Sequence, residues 1–143
     1  MAQIIDVAEY FLHLDDQSEG DGISNLKLQK LCYYAQGFHL AIHDNPLFTD
    51  PVMAWTHGPV VVDLYHLFKE YGKNNIPMPE NLSGRLMDQE KELITEVFQV
   101  FGQFSAWKLR NMTHEEPLWI NHENEADEIP VDEMKAYFKT RIH

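Results

Sequence analysis

The chain has 143 residues, 44% of them hydrophobic, which suits one ordinary domain with a single core. Its 23 acidic against 11 basic residues give a formal net charge of −12, a surface that repels phosphate backbones and sets aside direct nucleic-acid binding. No apolar run approaches the roughly 20 residues of a membrane helix. The start MAQIIDVAEYF lacks a signal peptide's positive region, and the single Cys32 permits no internal disulfide, so a cytoplasmic protein is expected.

Ile4, Ile5, Ala8, Phe11 and Leu14 recur at helical spacing and predict a first amphipathic helix over residues 3–14, followed by a polar loop over 15–22. Ser24 is the expected N-cap of a long second helix ending at His43. Leu28, Leu31, Ala35, Phe38 and Ile42 form one stripe of it, with Cys32 and His39 inside the arc, while Leu26, Tyr33 and Leu40 form a second strip. A helix apolar on most sides is usually buried, so this one is placed at the centre of the fold, with Gly37 facing away among polar neighbours. Asp44-Asn45-Pro46 stops it, because proline has no N–H to donate and clashes with a continuing helix.

A short extended arm is expected at 48–56. Gly58-Pro59 then turns the chain, with Pro59 at the first position of a helix whose buried stripe is Val60, Leu64, Leu67, Phe68 and Tyr71. Residues 73–81, with two prolines and three asparagines, read as a surface connection. Ser83 or Asp88 caps the next helix, which buries Leu93, Ile94, Val97, Phe98, Phe101 and Phe104. Ser105 opens a short helix toward Met112, and Pro117 begins another turn with Leu118 and Trp119. Residues 121–129 read as an acidic loop, and Pro130 opens a last helix with Val131, Met134, Phe138 and Ile142 inward. The sum is a mainly α fold: one compact domain over 1–143, six or seven helices around a central buried helix, and a short extended arm.

Three blocks, LKLQKLCYYAQGFHLAIHDNPLF, AWTHGPVVVDLY and MTHEEPLW, resemble the core of the Panacea (SocA-like) antitoxin domain, which is found also in phage-associated proteins. The resemblance runs from Ser24 to Trp119. It implies a non-catalytic antitoxin that neutralises a cognate protein toxin by direct contact; some relatives instead deliver the toxin to a Clp-type protease. Many relatives carry an extra segment that selects the toxin. Here only the first twenty or so residues and the acidic C-terminal part lie outside the core.

Several residue clusters could carry chemistry. His39 and His43, four apart, can share a helix face, but HLAIH lacks the glutamate that a zincin uses as its base. Neither a metal nor another cofactor is therefore expected. A metal-dependent hydrolase using His39, His43 or His114 is the alternative. In THEEPLW, Thr113 is the expected cap, Glu115 and Glu116 suit a first helical turn, and Trp119 anchors that turn. Trp55, His57, Gly58 and Pro59 are the sharpest local signature. Packing of Trp55 on the central helix is the ordinary reading, and recognition by Trp55 and His57 the functional one. The rings of Tyr33 and Tyr34 are expected to pack with their hydroxyls at a rim, which adds both to the partner-binding candidates. Two stretches, Asp6–Asp21 and Glu115–Glu133, carry no Lys or Arg. Within the second, Glu123, Glu125, Asp127 and Glu128 are expected to steer a basic partner, unless they form only a solvated face.

Overall fold

A computed structural model describes residues 1–142. Among them the chain forms α1 (Ile4–Gln17), α2 (Asn25–His43), an antiparallel hairpin of β1 (Met53–Trp55) and β2 (Gly58–Val60), then α3 (Val62–Phe68), α4 (Asp88–Phe101), α5 (Ala106–Thr113), α6 (Pro117–Ile120) and α7 (Val131–Lys139). No helix among the described residues is long and apolar enough to cross a membrane.

Helix α2 is the axis of the molecule. It starts where the Ser24 hydroxyl accepts the Lys27 N–H and ends at Asp44, whose left-handed backbone (φ 62°) lets its N–H reach Leu40 O at 3.0 Å. Every residue from Lys27 to Gly37 is buried, because α1, α4, α5 and α7 pack around it. The buried polar residues of this run hold loops in place. Gln36 accepts the N–H groups of Leu47 and Phe48 and donates to Phe48 O, which fastens the arm, and Gln29 accepts the Val61 N–H at 2.9 Å, which fastens the chain after the hairpin.

Several expectations for this region need correction. Gly37 does not face away: a Cβ there would stand 2.1 Å from the Phe138 ring, so its lack of a side chain lets α7 approach α2. At the far end of the stripe Phe38 is only half-buried and Ile42 is 46% exposed, while Leu40 and Ala41 in the same turns stay buried, so the core side of the helix there is not the expected stripe.

Gly58 and Pro59 belong to β2, not to the start of a helix. Trp55 faces Gly58, whose φ of 105° turns the chain back, and Ala54 faces Pro59. Proline donates nothing to the ladder. The Ala54 N–H instead reaches Asp127 O at 2.8 Å on the outer edge of β1, and Ile129 donates to Val52 O. The acidic loop is thus a short 3-10 turn (Glu123–Glu125) followed by backbone paired to the hairpin. Helix α3 begins only at Val62; Val60 is buried from β2, Leu64 is buried in the helix, Phe68 and Tyr71 pack half-buried on the core, and Leu67 is 56% exposed.

Neither Ser83 nor Asp88 caps α4. Met87 occupies the N-cap and its N–H is held by the Glu90 carboxylate at 2.8 Å. Ser105 caps α5 as expected, accepting the Lys108 N–H, and Pro117 and Pro130 stand at the starts of α6 and α7. Met134 and Phe138 of α7 are buried, whereas Val131 is exposed.

Candidate partner-binding surface

Tyr33 and Tyr34 follow one another on α2, and both side chains are fully buried. Tyr34 stacks on Phe101 (centroids 4.1 Å, planes 6° apart), and Tyr33 meets Phe138 edge-on at 5.5 Å. Their hydroxyls donate to the two oxygens of one carboxylate, Tyr33 to Glu116 Oε1 at 2.6 Å and Tyr34 to Oε2 at 2.8 Å, and the Arg141 guanidinium stands 3.4 Å from Oε2. Burial raises the Glu116 pKa, while both hydroxyls and Arg141 pull it back; burial and the facing carboxylate push both tyrosines up. The hydroxyls expected at a rim are therefore internal, and these rings offer a partner no surface. The expectation that Glu116 serves a first helical turn is corrected in the same way. It sits at the N-cap of α6, but its carboxylate is spent on the tyrosine clamp. Thr113, expected as a cap, donates its hydroxyl back to Arg110 O inside α5's last turn.

The hairpin corner is open. Trp55 is half-buried, its ring edge-to-face with Tyr65 of α3 at 5.4 Å, and its carbonyl accepts the Trp119 indole N–H at 2.7 Å. His57 is exposed at the hairpin tip, and its Nδ1 receives the Arg110 Nε–H at 3.4 Å. The same guanidinium covers the ring of Trp107 at 4.4 Å, and Trp107 is 58% exposed. Between these groups lies a groove of about 870 Å³, floored by Lys30, Gln29 and Asn25 and walled by Trp55, Tyr65 and Trp107. Lys30 is 1% exposed and donates to Pro59 O at 3.1 Å. Burial and the nearby Arg110 lower its pKa to about 7.

The acidic candidates border this groove. Ala126, in the left-handed region at φ 53°, lines it, while Glu125, Asp127 and Glu128 are exposed and Glu123 is half-buried. In the N-terminal stretch, part of the acidity is structural. Asp6 is buried in a two-bond pair with Arg85 (2.8 and 2.9 Å), and Asp15 is buried, accepting the Gly22 N–H. Neither carboxylate faces solvent.

His39 and His43 share a helix face, their ring centroids 4.8 Å apart, and among the described residues no third ligand joins them. His39 donates from Nδ1 to Asn45 O at 2.6 Å, and His43 beside it accepts from Gln89. His114 is stacked flat on Trp119 at 3.8 Å, and burial lowers its pKa, with Arg110 and Lys30 adding to the effect. Among the described residues no three His, Cys, Asp or Glu side chains come together as metal ligands. Cys32 is buried, and burial raises its thiol pKa, so it stays a neutral core residue.

Sequence reasoning missed Lys30 and Arg110 and gave Glu116 a helix-terminus role in place of the tyrosine clamp. Lys30 and Glu116 are charged residues amid apolar neighbours, a weak signal for burial, and nothing local pairs Glu116 with tyrosines 82 and 83 positions away.

Residues 28–120 match the family model of the SocA-like antitoxin, Panacea domain. A curated relative, the antitoxin SocA of Caulobacter vibrioides (strain NA1000 / CB15N), is 35% identical over 103 residues, covering 64% of this chain and 55% of the relative. The chain thus spans about half the length of that relative. No solved structure matches the chain.

Proposed function

Since the chain belongs to the SocA-like Panacea antitoxin family, we propose that it acts as the antitoxin of a toxin–antitoxin pair, neutralising a cognate protein toxin by direct binding without catalysis. The observation that carries this reading is the extent of the family match, which includes the central helix, the hairpin corner and the THEEPLW segment. The hairpin corner is the contact surface we favour. Trp55 and His57 stand on a corner that β1, β2 and the 127–129 segment brace, and a rigid aromatic beside a groove is the usual form of an interface anchor. Glu123, Glu125, Asp127 and Glu128 beside it suit the steering of a basic toxin. Tyr33 and Tyr34 contribute by fixing α2 against α6 and α7, not by contact.

The test is co-expression with the product of the neighbouring gene. Growth arrest by that product alone, relieved by this chain and accompanied by a stable purified complex, is the expected result. A neighbouring product that does not inhibit growth, or whose toxicity this chain leaves unchanged, would remove the reading. Adding a Clp-type protease to the purified complex distinguishes plain binding, in which the toxin persists, from delivery, in which it is degraded faster.

A further inference from the structure

In a chain with 23 acidic and 11 basic residues, the groove at the hairpin corner inverts the charge balance. Lys30, Lys69 and Lys73 line it and no carboxylate does. Among the described residues neither these lysines nor Arg110 forms a salt bridge. Elsewhere several basic residues are matched: Arg85 to Asp6, Lys135 and Lys139 to Asp44, and Arg141 to Glu116. An ammonium has three donors. The only hydrogen bond that the buried Lys30 ammonium makes among the described residues goes to Pro59 O. Burial without a counter-charge favours the neutral amine of Lys30, and a carboxylate brought to the groove favours its charged form. The walls are aromatic: Trp55, Tyr65 and Trp107.

We propose that this groove receives an extended segment of the toxin that presents a carboxylate beside an aromatic or aliphatic side chain, the carboxylate meeting the exposed Lys69 and Lys73 while the buried Lys30 adds to the positive field and the apolar group lies between Trp55 and Trp107. The proposal rests on the antitoxin reading for the owner of the segment, but the chemistry of the groove does not depend on it. Charge complementarity selects the occupant. A basic segment would be repelled from the floor and is confined to the acidic Glu123–Glu128 rim, and an uncharged one leaves the ammonium unmet. The acidic rim and the lysines of the groove thus have opposite duties: the rim speeds encounter with a basic toxin, and the lysines fix one acidic side chain of it in place.

The probe is a blocked peptide, acetyl-Asp-Phe-Glu-amide, titrated into the 15N-labelled full chain and read at the three indole N–H signals. Trp119 serves as an internal reference, since its N–H is already donated to Trp55 O. The expected result is saturable shifts at Trp55 and Trp107 with a dissociation constant of about 1 mM, at least about tenfold weaker for acetyl-Asn-Phe-Gln-amide. The double surface variant Lys69→Ala/Lys73→Ala, at two exposed positions, should remove most of that preference, and Lys30→Met, at a buried one, should remove part of it. Equal binding of the neutral peptide, tighter binding of a Lys-Phe-Lys analogue, or no shift at about 10 mM would overturn the proposal. None of these outcomes involves the toxin, so a failed titration counts against the groove alone and a failed rescue of growth against the antitoxin reading alone.

Discussion

Lys30 and the Tyr33–Tyr34 pair lie about one turn apart on α2, and both are sealed from solvent, yet their surroundings differ in kind. The tyrosines close on Glu116, whose two oxygens accept both hydroxyls, with Arg141 beside one of them, so each polar group of that cluster has a partner. Lys30 has one carbonyl, a cationic neighbour in Arg110, and an open groove alongside. A satisfied network at the centre of a fold stabilises one arrangement of helices; an under-satisfied cation under a surface corner weakens the fold and suits a ligand. The same helix therefore does two jobs, clamping α6 and α7 at one level and presenting a charge at the next. Substitutions at the two levels should behave oppositely.

The largest effect is expected at the clamp. Glu116→Ala strips two buried hydroxyls and a guanidinium of their common acceptor, which should destabilise the fold by about 3–5 kcal/mol in urea unfolding. Glu116→Gln keeps one acceptor and should cost less. Burial leaves the folded-state pKa of Glu116 raised, so the folded chain holds this proton more tightly than the unfolded one. The stability this group contributes is present in full below the unfolded value and declines as pH rises through the folded one. The difference in stability between the parent and Glu116→Gln should consequently narrow as pH rises above the ordinary carboxylate range. A Glu116→Ala protein as stable as the parent would reduce the clamp to an ordinary buried contact.

At Lys30 the sign reverses. With its pKa lowered from 10.5 to about 7, the unfolded chain binds a proton that the folded chain does not between those values, and stability should rise with pH across that window. At about 1.4 kcal/mol per unit the gain is bounded by about 5 kcal/mol. Lys30→Met should flatten this rise and match or exceed the parent's stability at pH 6–7. Thermal unfolding at a series of pH values checks it, and a destabilised, equally pH-dependent Lys30→Met would mean that the ammonium supports the fold after all.

Much of this contrast was legible in the sequence only as pattern. The periodicity of Leu28, Leu31 and Ala35 located the buried helix, and Ser24, Ser105, Pro117 and Pro130 marked helix starts, because caps and prolines act within a few residues. Non-local pairing escaped. Gly58 and Pro59 have the chemistry of a helix start, but the partnering of β1 with β2 on one edge and with Asp127–Ile129 on the other overrode it. Gly37 looked idle until Phe138, about a hundred residues on, came to rest against it. The clamp was hidden for the same reason. A glutamate beside a proline reads locally as a helix-terminus residue, and only the fold brings two tyrosines to it.

Trp55 tests the open corner. Its backbone carbonyl, not its ring, holds Trp119, and the ring is only half-buried against Tyr65, so Trp55→Ala should cost the fold about 1 kcal/mol or less. If the corner is the contact surface, the same change should raise dissociation of the toxin complex about thirtyfold, equivalent to about 2 kcal/mol, the threshold for an interface anchor. Surface plasmon resonance gives that rate directly. Folded Trp55→Ala that releases the toxin at the parent rate would return Trp55 to a purely structural role and leave the groove, with its own peptide test, to be judged separately.

The smallest effect belongs to the acidic rim. Glu125, Asp127 and Glu128 are exposed and Glu123 half-buried, and such charges contribute little net affinity each, because holding a pair in water gains little Coulomb energy. Their long-range field acts on encounter. Raising salt from about 0.05 to about 0.5 M shortens the Debye length from about 14 to about 4 Å, and association with a basic toxin should slow markedly while dissociation changes by less than about twofold. Converting Glu123, Glu125, Asp127 and Glu128 together to Gln or Asn should reproduce the slowing at low salt and leave the melting temperature nearly unchanged, because the pairing of this segment with β1 uses backbone groups, Asp127 O and the Ile129 N–H. The exposed lysines of the groove supply the opposing control. Lys69→Ala/Lys73→Ala should act mainly on dissociation, where a carboxylate is released, and only weakly on the salt dependence of association. An association rate indifferent to both salt and the four neutralisations would confine these carboxylates to solvation, and a Lys69→Ala/Lys73→Ala complex that dissociates at the parent rate would detach the groove from the toxin while leaving the rim intact.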